Sequence, residues 1–146
     1  DAGEMAEAER VLRDAVAREP EGVAGRTALG RVLARTGRLE EAAGQLREAL
    51  ALLPSYADAA LALADLEVER EREQEGLHVL VDLLSADPYN LAGLQRIGDL
   101  LATMGREKDA GRAYERVLRF DPHHAGAHAG LLRIGLAAGH AGAEAH

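Results

Sequence analysis

VAGRTALGRVLARTGRLEEAAGQLREALALLPSY, residues 23–56, reads as two amphipathic helices joined at a glycine, and the chain repeats this unit at a fixed step. Its second half places Ala42, Leu46, Ala49, Leu50 and Leu53 three or four apart, the spacing of one buried helical face. Pro54 then ends the unit. All four prolines of the chain, Pro20, Pro54, Pro88 and Pro122, stand one such step apart. Proline lacks an N–H and fixes φ, so four at one spacing mark four recurrences of the same helix ending.

Working outward, GRLEEA at 37–42 has counterparts GEMAEA at 3–8 and GREKDA at 105–110. A glycine suits the left-handed residue that ends a helix, and acidic residues suit the first turn of the next, so Gly3, Gly37 and Gly105 are each expected at a turn. LGRVL at 29–33 is matched by LADLE at 63–67, IGDLL at 97–101 and LLRIG at 131–135. Two helix backbones approach closely only over small residues, so Gly30, Ala64 and Gly98 are expected at contacts inside each hairpin. The chain is therefore expected to open in a second helix over 1–22. Three full units follow over 23–56, 57–90 and 91–124, and a further first helix runs from Ala125 to Ala138. Neither end reads as a polar cap, so a segment of a longer array is expected.

These residues resemble the tetratricopeptide repeat, whose 34-residue pattern is W-x2-L-G-x2-Y…A-x3-F…P. The pattern is met at Leu29, Gly30, Ala42 and Pro54, and again at Ile97, Gly98, Ala110, Tyr114 and Pro122. Leu33, Leu46 and Leu101 stand where the family has aromatics. The Trp position holds Arg26, Ala60, Leu94 and His128, which predicts weaker packing at the outer end of each first helix. Unit 57–90 departs most, with Glu67 at the Tyr position, Glu71 at the turn glycine and Gly76 at the alanine. A glycine within a helix costs about 1 kcal/mol relative to alanine, so this hairpin is expected to be locally looser.

The resemblance implies an all-α fold, a right-handed α-solenoid of three full and two half repeats with about eight helices. It also implies a concave groove, lined by the first helices, that holds a peptide or partner segment. Three lines of side chains would face that groove: Thr27, Leu61, Gln95 and Ala129; Arg31, Asp65, Asp99 and Arg133; Arg35, Glu69, Thr103 and Ala137, with Arg96 beside Gln95. Such a groove is basic at its amino end and acidic in the middle. Alternatively, Arg31 pairs with Asp65 and Arg35 with Glu69 across helices ~8–10 Å apart, which leaves it near neutral. The family's clamp for acidic chaperone tails maps onto Thr27, Arg31, Asp65, Ala92 and Arg96. Only Arg96 fits it outright and Asp65 would repel a carboxylate, so that ligand is not expected.

Composition bounds the partners. In 146 residues with 47% apolar and 3% aromatic content the core must be aliphatic, which suits stacked helices better than sheets. Without cysteine there is neither a disulfide nor a thiolate metal site. No apolar run approaches a membrane span, since Pro54, Asp58 and Asp65 interrupt the longest, so no direct membrane insertion is expected. The net charge of −8 argues against nucleic acid, which needs a clustered basic surface. Nearly all of that excess lies in 57–90, which carries −7 against −2 before it and +1 after it. The acidic stretch Asp65–Glu75 offers a docking site for a basic partner, or simply a solvated face. His124 and His128 stand four apart, as metal ligands on a helix can, but no carboxylate or cysteine completes a set, so neither metal nor cofactor is expected.

Ser55 and Ser85 lack a patterned base, and no phosphate-binding or zinc-protease motif is present, so no enzyme is expected. The sequence thus points to a non-catalytic interaction module or scaffold that binds a protein or peptide. The alternatives are a regulatory or substrate-presenting part of a larger enzyme, and self-association between copies.

Overall fold

The computed structural model describes residues 1–144, with side chains through residue 136. Among them are eight helices: α1 (Ala2–Arg18), α2 (Val23–Arg35), α3 (Leu39–Leu52), α4 (Ala57–Glu69), α5 (Glu73–Ala86), α6 (Leu91–Thr103), α7 (Glu107–Phe120) and α8 (Ala125–Glu144). The fold is all-α. From α2 to α7 every helix starts and stops one full period from its counterpart, so the repeat fixes element bounds to the residue. α8 continues past Ala138, where the sequence reading ended it.

Each proline follows a helix's last bonded N–H. Glu19, Leu53, Asp87 and Asp121 donate to the carbonyls of Ala15, Ala49, Leu83 and Val117, and the next residue is proline, which cannot continue the ladder. The turns inside the hairpins are equally uniform. The N–H groups of Arg38, Arg72 and Arg106 return to Leu33, Glu67 and Leu101, and those of residues 37, 71 and 105 to Ala34, Val68 and Ala102. This is the Schellman pattern, which requires a left-handed residue. Gly37 and Gly105 adopt φ 82° and 80° without strain, and Glu71 is forced to φ 61°. Glu71→Gly should therefore raise stability by about 1 kcal/mol, read as a shift in the urea midpoint at unchanged slope. Gly3 lies within α1, capped by the side chain of Asp1, and is not at a turn.

The chain divides into two compact units, residues 1–88 and 89–146. In the first, α1 to α5 pack in succession and α2 also meets α4. Its core is Leu29, Leu33, Leu46, Leu63 and Leu66 with Ala42, Ala43, Ala49 and Ala59, and Leu12 and Val16 of α1 pack against it. In the second, α7 packs on α6 and α8, and α6 meets α8. Tyr114 is its largest fully buried side chain.

The expected small-residue contacts are present. A Cβ added at Gly30 would lie 2.8 Å from Leu46 Cγ. One at Gly98 would lie 2.6 Å from Tyr114 Cε1, and one at Gly130 would strike its Cζ, so the ring is held between two glycines on α6 and α8.

Unit 57–90 contains a fully buried carboxylate. Glu67 has 0% exposure at the position that holds Leu33 and Leu101 elsewhere. Arg70 binds its Oε1 at 2.8 Å, and Arg72 and Arg47 reach its Oε2 at 3.3 and 3.5 Å. The stretch 65–75 is therefore not a continuous acidic face, because two of its own arginines fold onto its most buried acid.

Candidate functional site

The side chains expected to form a groove fall in both units. On α2, Thr27 is buried, 3% exposed, and its hydroxyl donates to the Val23 carbonyl at 2.8 Å. It is therefore part of the interior rather than the surface, a correction to the sequence reading: a hydroxyl satisfied by its own helix can be buried at little cost. Arg31 and Arg35 are exposed one turn apart on the same helix, and Asp65 and Glu69 are exposed on α4, with Leu61 half-buried. Among the described residues no ion pair joins Arg31 to Asp65 or Arg35 to Glu69, so the alternative of mutual neutralisation is not realised.

The second unit behaves differently. Asp99 on α6 accepts from the Tyr114 hydroxyl at 2.5 Å and from Arg133 of α8 at 3.3 Å, both at Oδ1, and from Gln95 Nε2 at 3.5 Å at Oδ2. The hydroxyl of Thr103 donates to the Asp99 carbonyl at 3.0 Å. Burial first, and then the neighbouring Asp99, push the Tyr114 phenol up to about 12, so it remains a donor to the carboxylate at any physiological pH. A recess of 390 Å³ is lined by Asp99, Thr103, Glu107, Arg133 and Ile134. Gln95, Asp99 and Arg133 are thus brought together, and they bond one another. Arg96, beside Gln95, is half-buried. Ala137 lies outside the described side chains.

The Trp positions of the pattern also carry polar contacts. Arg26 Nε donates to the Pro20 carbonyl at 2.8 Å, and its Nη1 binds Gln45 at 3.2 Å and pairs with Glu48. His128 Nε2 stands 2.7 Å from the Pro122 carbonyl, the equivalent atom. His124 Nδ1 accepts from the Ala127 N–H, capping α8. These outer helix ends are tied by hydrogen bonds where the family uses an aromatic, which the sequence reading missed. The signal was there: a donor-bearing side chain six residues after a proline.

Two family models described as tetratricopeptide repeat match residues 1–57 and 91–124, together more than half of the chain. The chain belongs to the tetratricopeptide repeat family. Similar solved structures include MamA, at 19% identity and TM-score 0.79 over 94% of this chain and 81% of that one. A tetratricopeptide repeat protein from Parabacteroides merdae is 25% identical at TM-score 0.78, over 92% of this chain but 55% of its own length. YrrB, described as a TPR protein with an unusual peptide-binding site, is 20% identical at TM-score 0.69 over 91% of this chain and 69% of that one. No curated protein sequence matches. The tetratricopeptide assignment makes the fold an α-solenoid and the chain a protein-interaction module in general terms, of a family whose members are typically non-catalytic. No helix among the described residues is long and apolar enough to cross a membrane.

Proposed function

We propose that this chain is a non-catalytic module that binds a peptide or protein segment on the α2–α4 face of its first unit. The observation that carries the reading is the pair Arg31 and Arg35. Most arginines of the chain are engaged by carboxylates, whereas these two are exposed one turn apart and unpaired among the described residues. Two guanidinium groups on one face suit carboxylates of a partner, because charge-assisted, bidentate bonds form there without breaking any internal pair. Glu69 and the half-buried Leu61 on α4 extend the face toward a basic and an apolar contact. The likeness to YrrB, itself described as peptide-binding, favours a peptide over a small molecule. In the second unit Asp99 and Arg133 satisfy one another, so that cluster serves packing more than recognition.

Charge reversal tests this. Arg31→Glu with Arg35→Glu should abolish capture of the partner from the native host while shifting the melting temperature little, since exposed charges contribute only about 0–1 kcal/mol. Undiminished capture would refute the assignment. Equal loss of capture and stability would show that these arginines are structural.

A further inference from the structure

In the first unit a recess of 260 Å³ opens between α3 and α5 above α4, with Leu50, Pro54, Ala60, Leu63, Val79 and Asp82 in its lining. One repeat earlier the same positions are Val16, Pro20, Arg26, Leu29, Gln45 and Glu48. That is the place where the Arg26 side chain lies, with its guanidinium on the Pro20 carbonyl, Gln45 and Glu48. One repeat later the same space has lost its occupant, because Ala60 ends at Cβ. The acceptors remain. Among the described residues the Pro54 carbonyl accepts no hydrogen bond and the exposed Asp82 carboxylate has no ion pair. His128 reaching the Pro122 carbonyl shows a second donor-bearing side chain using the equivalent acceptor.

We infer that this recess is a binding site for an arginine side chain projecting from a partner segment. The aliphatic stem lies along Leu50, Leu63 and Val79, and the guanidinium is shared between the Pro54 carbonyl and Asp82. Arg26 engages its acceptors through Nε and Nη1 together, a planar fork that a lysine ammonium does not reproduce. Arg47 also lines the recess but does not forbid a second cation. Its own guanidinium turns to Glu67, as its counterpart Arg13 in the preceding repeat turns to Glu9 and Glu41. Val79 in place of Gln45 removes one acceptor and lengthens the apolar wall, which favours a side chain reaching in from outside. The recess shares no residue with the α2–α4 face, so either site can fail without the other.

The test is a titration of the full chain, labelled with 15N, by N-acetyl-arginine amide, with N-acetyl-citrulline amide as the neutral isostere. The arginine compound is expected to give saturable amide shifts at Ala60, Leu63, Val79 and Asp82 and to bind about tenfold tighter than the citrulline compound. Asp82→Asn, an exposed change that leaves the core untouched, should remove that tenfold preference. Ala60→Arg supplies the occupant from within and should abolish the shifts while raising the melting temperature. Equal response to both compounds, shifts only elsewhere, or an unaltered preference in Asp82→Asn would overturn the inference. Should Ala60→Arg fail to fold, the Asp82→Asn result decides alone.

Discussion

Glu67→Ala is expected to destabilise the protein by about 3 kcal/mol, and Glu67→Leu by less than about 1 kcal/mol, or to stabilise it. Three arginines meet at this buried carboxylate, and their side chains are 20%, 41% and 50% exposed at Arg70, Arg72 and Arg47. When the acid is removed the cations relax into water, so the principal loss in the alanine variant is a cavity among closely packed helices. Leucine fills that volume, as it does at the equivalent Leu33 and Leu101, and also removes the cost of burying a charge. The converse change is more damaging. Arg70→Met takes away the closest partner of a carboxylate with 0% exposure and leaves only the longer contacts to Arg72 and Arg47, so it should cost more than Arg72→Met or Arg47→Met. Urea midpoints of these variants rank the contributions, and a leucine variant as unstable as the alanine variant would show that the ion cluster itself supports the hairpin.

Gly98→Ala is the second large effect. Alanine gains about 1 kcal/mol of helix propensity over glycine, yet its Cβ would lie 2.6 Å from a ring carbon of Tyr114. The ring cannot retreat, because Gly130 faces it from α8 and its hydroxyl is fixed on Asp99. Overpacking of this kind costs about 1–3 kcal/mol, so a net loss despite the propensity gain isolates the clash. Unit 57–90 already contains the compensated pair, with Ala64 and Leu80 buried at the same two positions. Tyr114→Leu combined with Gly98→Ala should therefore lose at least about 1 kcal/mol less than the two single changes added together. Strict additivity in the double-mutant cycle would contradict the equivalence of the repeats.

What was legible in the sequence followed from backbone chemistry. Prolines and turn glycines act through φ and the missing N–H, which depend on neighbours along the chain, so the turns at Gly37 and Gly105 and the helix endings before each proline were read, whereas the end of α8, which no proline marks, was placed too early at Ala138. Gly30 and Gly98 were readable as contacts because a missing side chain has one consequence wherever two helices cross. Gly3 misled because the string that follows it starts a helix equally well whether or not another helix precedes it, and only a preceding helix end demands the left-handed conformation. Side-chain partnerships were less legible. Glu67 gathers arginines from its own turn and from α3, and Asp99 gathers a tyrosine from α7 and an arginine from α8. Periodicity does not show such pairings, because the partners differ from one repeat to the next. The pairing of Arg31 with Asp65 was drawn from spacing alone and is absent, since proximity between helices does not orient two long side chains. The recess beside Ala60 was hidden for the opposite reason: it is a side chain that is absent, and only the neighbouring Arg26 shows what fits.

Recognition is proposed on the α2–α4 face of the first unit. Amide hydrogen exchange of the full chain with and without its captured partner tests it most directly. Binding is predicted to slow exchange in α2 and α4, around Arg31, Arg35 and Glu69, and to leave α6 to α8 unchanged. Protection that spares α2 and α4 would exclude that face as the binding site.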